Sequence, residues 1–188
     1  MLRGMRRVGC LLVLAMVFGG CSSDDGGGGA GATAGSGCPN DGSGYDSDAQ
    51  RLECEVLTLV NQVRAQGATC GGEAMPAVGA LTMNAPLRTV ARNHAIDMAT
   101  HNYFSHDSQN GTTAFERMTA AGYSYSTAGE NIAAGSSTAQ GVMDQWMNSP
   151  GHCANIMSGS YKEIGIGYRF NEGSDYGHYW VQDFGSPR

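Results

Sequence analysis

Residues 129–157 read GENIAAGSSTAQGVMDQWMNSPGHCANIM, and the pattern changes twice along them. The segment GENIAAG is short, apolar in its second half and closed by Gly135, which predicts a strand. From Ser137 or Thr138 the period becomes helical, with Ala139, Val142, Met143, Trp146 and Met147 on one stripe. Pro150 and Gly151 then form a turn dipeptide, so the backbone is expected to bend just before His152. One stretch therefore carries an acid, Glu130, and an imidazole, His152, on either side of a helix.

Working outward, Leu52, Val56, Leu59, Val60 and Val63 recur at helical spacing, with cap candidates at Asp46 to Asp48 and a stop at Gly67. A second helix is expected from Asn84 to about Asn102, with Pro86 in its first turn and Leu87, Val90, Ala91, His94, Ala95 and Met98 on one face. A third opens at Thr113-Ala-Phe-Glu116, a capping-box pattern, and stops at Gly122. The period becomes two at Ile164, Ile166, Tyr168 and Phe170, and after a polar link His178 to Phe184 gives a second strand, so a hairpin closes the chain. Helices flanking a small antiparallel sheet make an α+β fold.

The chain of 188 residues is long enough for one domain and a tail. Residues 1–20 read as an export signal: Arg3, Arg6 and Arg7 form a basic region and Cys10 to Phe18 a short apolar one. The small residues Gly19 and Gly20 before Cys21 resemble the bacterial lipoprotein cleavage box, which would make Cys21 the lipidated N-terminus; the alternative is an ordinary secretory signal with Cys21 incidental. Residues 21–45 offer little apolar surface and read as a flexible Gly/Ser-rich tether, leaving 46–188 as the folded domain. Three of the 11 basic residues lie in the signal, against 17 acidic residues overall, and Lys162 is the sole lysine, so no nucleic-acid surface is expected.

Cys38, Cys54, Cys70 and Cys153 remain for the mature region, and four cysteines allow three pairings. A bond between Cys70 and Cys153 would tie the end of the first helix to the segment of His152 and leave Cys38 to pair with Cys54. A metal role is the rival, but the chain has no C-x-x-C pair.

The segments ARNHAIDMA (91–99), GEN (129–131), W-x-x-SPGH (146–152) and GIGY (165–168) together resemble the CAP superfamily of cysteine-rich secretory, antigen 5 and pathogenesis-related proteins, over about Asp48 to Phe184 and in its bacterial form. The resemblance implies an α–β–α sandwich with a central cleft of two histidines and two glutamates. His106, in NYFSHDS, matches the first histidine, Glu130 the glutamate of GEN and His152 the second histidine. The fourth member departs: Ser149 stands three residues after Trp146 where many relatives have glutamate, and a hydroxyl supplies neither the charge nor the basicity.

The expected binding cleft is thus His106, Glu130, Ser149 and His152, with His106 and His152 as ligands of zinc or another divalent metal and Glu130 as the candidate catalytic group. The alternative is a structural hydrogen-bonded cluster. His94 reads as a satisfied core histidine, His101 as a helix C-terminal charge and Glu116 as a cap. Two functions compete. One is a non-enzymatic envelope lipoprotein, at the outer membrane or cell surface, that binds a small lipid- or sterol-like ligand, a metal or a protein partner. The other is a metal-assisted, peptidase-like hydrolase in which Glu130 polarises a water. The serine at 149 favours the first, because it removes the separate proton donor that a leaving group needs.

Overall fold

The computed structural model describes Cys38 and residues 44–188. The export signal, Cys21 and most of the tether lie outside the described residues. The element order is α1 (Ser47–Gln66), β1 (Ala68–Cys70), β2 (Glu73–Met75), β3 (Thr82–Met83), α2 (Ala85–His101), α3 (Ala114–Ala120), β4 (Tyr125–Ala134), α4 (Ala139–Met147), α5 (Pro150–Met157), β5 (Glu163–Phe170) and β6 (His178–Pro187).

Local chemistry sets the helix ends. The Asp46 carboxylate accepts from the Ala49 N–H at 2.8 Å and α1 stops at Gly67, whose φ of 77° falls where a side chain is disfavoured. Asn84 caps α2, Pro86 sits in its first turn, and Asn102 closes it in the left-handed region. Thr113 and Glu116 form the reciprocal capping box of α3.

The main sheet has strand order β3-β5-β6-β4. The β5–β6 and β6–β4 pairs are antiparallel, whereas β3 lies parallel to β5, so the expected purely antiparallel sheet gains one two-residue parallel strand. A separate β1–β2 ribbon, which no sequence pattern announced, turns at Gly71 and Gly72. Helices cover both faces, making an α+β sandwich. One face packs α1, α4 and α5 over Ile164, Ile166, Trp180 and Phe184; Val56, Val60 and Trp146 are fully buried against them. The other face receives α2, and its close approach has a specific cause. A Cβ at Gly165 or Gly167 would lie 2.0 to 2.4 Å from the backbone of Leu87 to Arg92, so the alternating I-G-I-G of β5 fills one face while letting the α2 backbone rest on the other.

Disulfides join Cys38 to Cys54 and Cys70 to Cys153. The second ties the β1–β2 ribbon to α5. Of the segment expected as tether, Tyr45 is held on the body: its hydroxyl donates to the Tyr168 carbonyl at 2.6 Å and its ring lies 4.1 Å below the Arg92 guanidinium. Arg88 and Arg92 of α2 both bond the fully buried carboxylate of Glu53 on α1.

One local expectation is corrected. Pro150 and Gly151 do not form a turn outside a helix; Ser149 is the N-cap and Pro150 opens α5, placing His152 within that helix. Proline's fixed φ and missing N–H suit a first helical turn as well as a bend, so the dipeptide alone does not distinguish them. Only His106 therefore comes from a loop; Glu130 comes from a strand.

Candidate functional site

Strand β4 carries Glu130 and Ile132 on its α2 face and Asn131 and Ala133 on the other, as strand alternation requires. The Glu130 side chain is 3% exposed, and both of its oxygens are engaged. Oε1 lies 2.7 Å from His106 Nδ1, and Oε2 accepts from Arg117 NH2 at 2.6 Å. Arg117 also organises the loop that presents His106: its NH1 donates to the carbonyls of His106 and Thr112, each at 3.0 Å, and to Ser108 Oγ at 3.2 Å. From below, His94 of α2 lies with Nε2 2.9 Å from the Ser105 carbonyl, and the Tyr103 hydroxyl bonds Asp97. His94 is a buried anchor of this loop. His101 pairs with Asp97 at the end of α2, and Glu116 is occupied by its cap.

His152 arrives from the opposite layer. Asn131 Nδ2 donates to the His152 carbonyl and to Gln182 Oε1, both at 3.1 Å, and Asn155 Nδ2 donates to Asn131 Oδ1 at 2.8 Å. This buried amide network fixes the first turn of α5 against the sheet. Between the two layers, at the β4 edge, lies a cleft of 590 Å³ lined by Phe104, His106, Ile132, Trp146, Ser149 and His152 among others. Three of the four expected cleft residues thus share one hollow, and Glu130 stands behind His106. Glu130 bonds His106 and Arg117 and not His152.

The two imidazoles have opposite electrostatics. Hydrogen bonding to Glu130 pushes the His106 pKa above its ordinary value, against the opposing effect of burial. Burial pushes His152 below its ordinary value, and the charge of His106 adds to that. His94 is likewise lowered, chiefly by burial. Asp183, the cross-strand partner of Glu130 on β6, is fully buried and held well above the usual carboxylate range, first by burial and then by the Glu130 charge.

Sequence reasoning missed Arg117 and Asp183. Arg117 follows the capping Glu116 on a short helix and belongs to no motif. Asp183 had a signal: it is the lone acid within the otherwise strand-like run YWVQDF. As a first ligand set for a metal, the chain offers two imidazoles; Glu130 has both oxygens committed and serves instead as the carboxylate behind His106. Among the described residues no group of three or more His, Cys, Asp or Glu side chains is arranged to hold a metal ion. Two imidazoles fall short of the four protein ligands of a closed structural zinc site, so any ion held between them would need other ligands.

A two-layered helical sandwich around a mostly antiparallel sheet, with a histidine-walled cleft at one sheet edge, defines the class. The family model for CAP, the cysteine-rich secretory protein family, matches residues 57–184, and the chain belongs to that family. Over 104 residues it is 40% identical to the protein YkwD of Bacillus subtilis (strain 168), covering 55% of this chain and 38% of that one. Over 115 residues it is 29% identical to the membrane protein YlbC of the same organism, covering 61% of this chain and 31% of that one. The chain thus spans well under half the length of these relatives. Among solved structures it is similar to an extracellular SCP-domain protein of Bacillus anthracis, with TM-score 0.61 and 27% identity over 73% of this chain and 41% of that one. An outer surface protein of Borrelia burgdorferi shares the fold at TM-score 0.62 and 20% identity, over 76% of this chain and 95% of that one.

Proposed function

We propose that the protein is an exported, envelope-anchored CAP-domain module that binds a small amphipathic ligand in the cleft between His106 and His152, and that it acts by binding and not by turnover. The observation that carries this is the commitment of Glu130. A carboxylate that offsets Arg117 and orients His106 is poorly placed to be a free general base. What faces the hollow is apolar surface from Phe104, Ile132 and Trp146, with His106, Ser149 and His152 as polar points. Such a mixture suits a ligand with one polar end. Export is supported by the signal-like residues 1–20 and by the extracellular and outer-surface neighbours. Anchoring rests on Cys21 and the small residues before it.

The test is native mass spectrometry of the protein purified from its envelope, before and after delipidation. A bound amphiphile released by Trp146→Ala or His152→Ala supports the reading, and an empty cleft that takes up neither a fatty acid nor a sterol overturns it. Moving the protein to the soluble fraction by Cys21→Ser tests the anchor separately.

A second reading has one observation in its favour. A metal-holding imidazole commonly donates its other nitrogen to a carboxylate, which is the relation of His106 to Glu130. His106 Nε2 and His152 would then hold the ion, which would polarise a bound water or carbonyl. Metal-dependent peptide cleavage abolished by both His106→Ala and Glu130→Gln would replace the binding reading with this one.

A further inference from the structure

Among the described residues four large apolar side chains are exposed, and three of them, Phe104, Phe170 and Tyr176, gather at one end of the domain. Phe170 ends β5, and its ring lies over Gly177, where an added Cβ would sit 3.7 Å from it. Tyr176 precedes that glycine, and its ring centre lies 5.7 Å from that of Phe104. The patch is firmly held. Asn171 Nδ2 donates to the Ala99 carbonyl at 2.6 Å and the Asp175 N–H to Asn102 Oδ1 at 2.8 Å, which fastens the β5–β6 link to the end of α2. Contiguous exposed apolar surface of this kind marks an interaction site.

The occupant follows from where the chain outside the structure ends, and from charge. Cys38 is bonded to Cys54 in the first half of α1, and Tyr45, just ahead of that helix, lines one hollow with Phe170. The first described residues therefore meet the domain in the half that carries the patch, while the β1–β2 ribbon follows the opposite end of α1. Cys21 stands 17 positions before Cys38, and a Gly-rich chain of that length has a root-mean-square span of about 20–25 Å. That is shorter than α1, about 30 Å for its 20 residues. A bilayer holding Cys21 would thus lie within reach of the patch. We propose that Phe104, Phe170 and Tyr176 seat in the interfacial layer of a zwitterionic lipid surface, with the mouth of the cleft turned towards the lipid. Phenyl and phenol rings suit that layer. The charges among them select the headgroup: Glu172 and Asp175 outnumber Arg169 over the exposed residues 169–176, which favours lipid ammonium groups and opposes anionic lipid. A second copy of the chain fits less well, because three half-exposed rings offer only a few hundred Å² against the roughly 800 Å² per partner of a stable interface. Phe104 also lines the cleft, so an amphipathic ligand would pass from lipid to cleft along one apolar surface.

This inference rests on the anchoring of the mature chain through Cys21, and the test separates the two. The isotope-labelled protein, purified from its envelope, is placed on phosphatidylcholine nanodiscs that carry a gadolinium chelate at the headgroup. The expected result is amide broadening concentrated at residues 104 and 170–177 and absent at Gly72, lost in Phe170→Ser/Tyr176→Ser and kept in Phe170→Trp/Tyr176→Trp. Phosphatidylglycerol nanodiscs should give less of it. Uniform broadening, broadening centred on another face, a pattern unchanged in the serine variant, or stronger docking on the anionic lipid overturns the proposal. So does self-association without lipid that the serine variant abolishes. Protein held on the nanodiscs without the pattern leaves the anchor standing and removes the docking. The pattern from a chain that mass spectrometry shows to carry no acyl group keeps the docking and removes the anchor; no association at all removes both.

Discussion

Along β6, Trp180 and Phe184 point towards α1, α4 and α5, whereas Tyr179, Val181 and Asp183 point towards α2. The first face holds Trp146, Trp180, Ile164 and Phe184; the polar side chains that the sheet itself buries there, Asn131 and Gln182, are neutral amides bonded to each other, and the buried Arg64 of α1 is satisfied by the carbonyls of Gly79, Ile156 and Ser158. The second places Glu130, Asp183, Arg117 and His94 beside a helix packed so closely that glycines are required beneath it. Neutral amides can be buried at modest cost once hydrogen-bonded, while buried charges depend on every partner staying in place. One face therefore supplies stability chiefly through apolar burial. The other holds the buried Glu130–Arg117 ion pair, on which the His106 wall of the cleft depends.

This contrast is open to attack by mutation. The largest effect is expected on the charged face: Arg117→Ala strands the Glu130 carboxylate and should cost about 3–5 kcal/mol in chemical denaturation, with much of the loss recovered when Glu130→Gln is added. Failure of that rescue would mean Arg117 acts by packing alone. Trp146→Ala on the apolar face should cost a similar amount, about 3–5 kcal/mol, but no second substitution at Glu130 should recover it. Next, removing the Cys70–Cys153 bond by paired serine substitutions should cost about 2–4 kcal/mol, measurable as a lower denaturant midpoint without a change of fold by circular dichroism. Asn131→Ala should cost about 1–3 kcal/mol by leaving Gln182 and the His152 carbonyl without their donor, and should perturb the His152 resonances more than those of His106.

The smallest effect, and the sharpest discriminator, is titration of the metal-free protein followed by histidine NMR. His106 should titrate above the ordinary value of about 6.5 and His152 below it. The stability linked to His106 is then fully present below its unfolded value and is lost as pH rises through its raised folded value. For His152 the sign is opposite: folding favours the neutral form, so stability falls as pH drops below the unfolded value. Glu130→Gln should bring His106 back towards the ordinary range. A His106 midpoint unmoved by that substitution would break the proposed link between the charged face and the cleft.

Much of this was legible because it is local. Asp46, Asn84, Thr113 and Glu116 cap helices through bonds spanning three residues, and the I-G-I-G run of β5 shows its period in the sequence alone. The motifs around His106, Glu130 and His152 marked the candidate site through resemblance. Pro150 misled because one set of backbone angles serves both a turn and a helix start.

The sequence by itself determined the helices, the closing hairpin, the family and the residue types available to a cleft, since periodicity and capping are written in neighbouring side chains. Only the tertiary structure decided which partner each group would have. It sent Glu130 to Arg117 and His106 across 13 and 24 residues and set Asp183 opposite Glu130. Those outcomes depend on strand register and helix packing, which bring together residues with no local signal of one another.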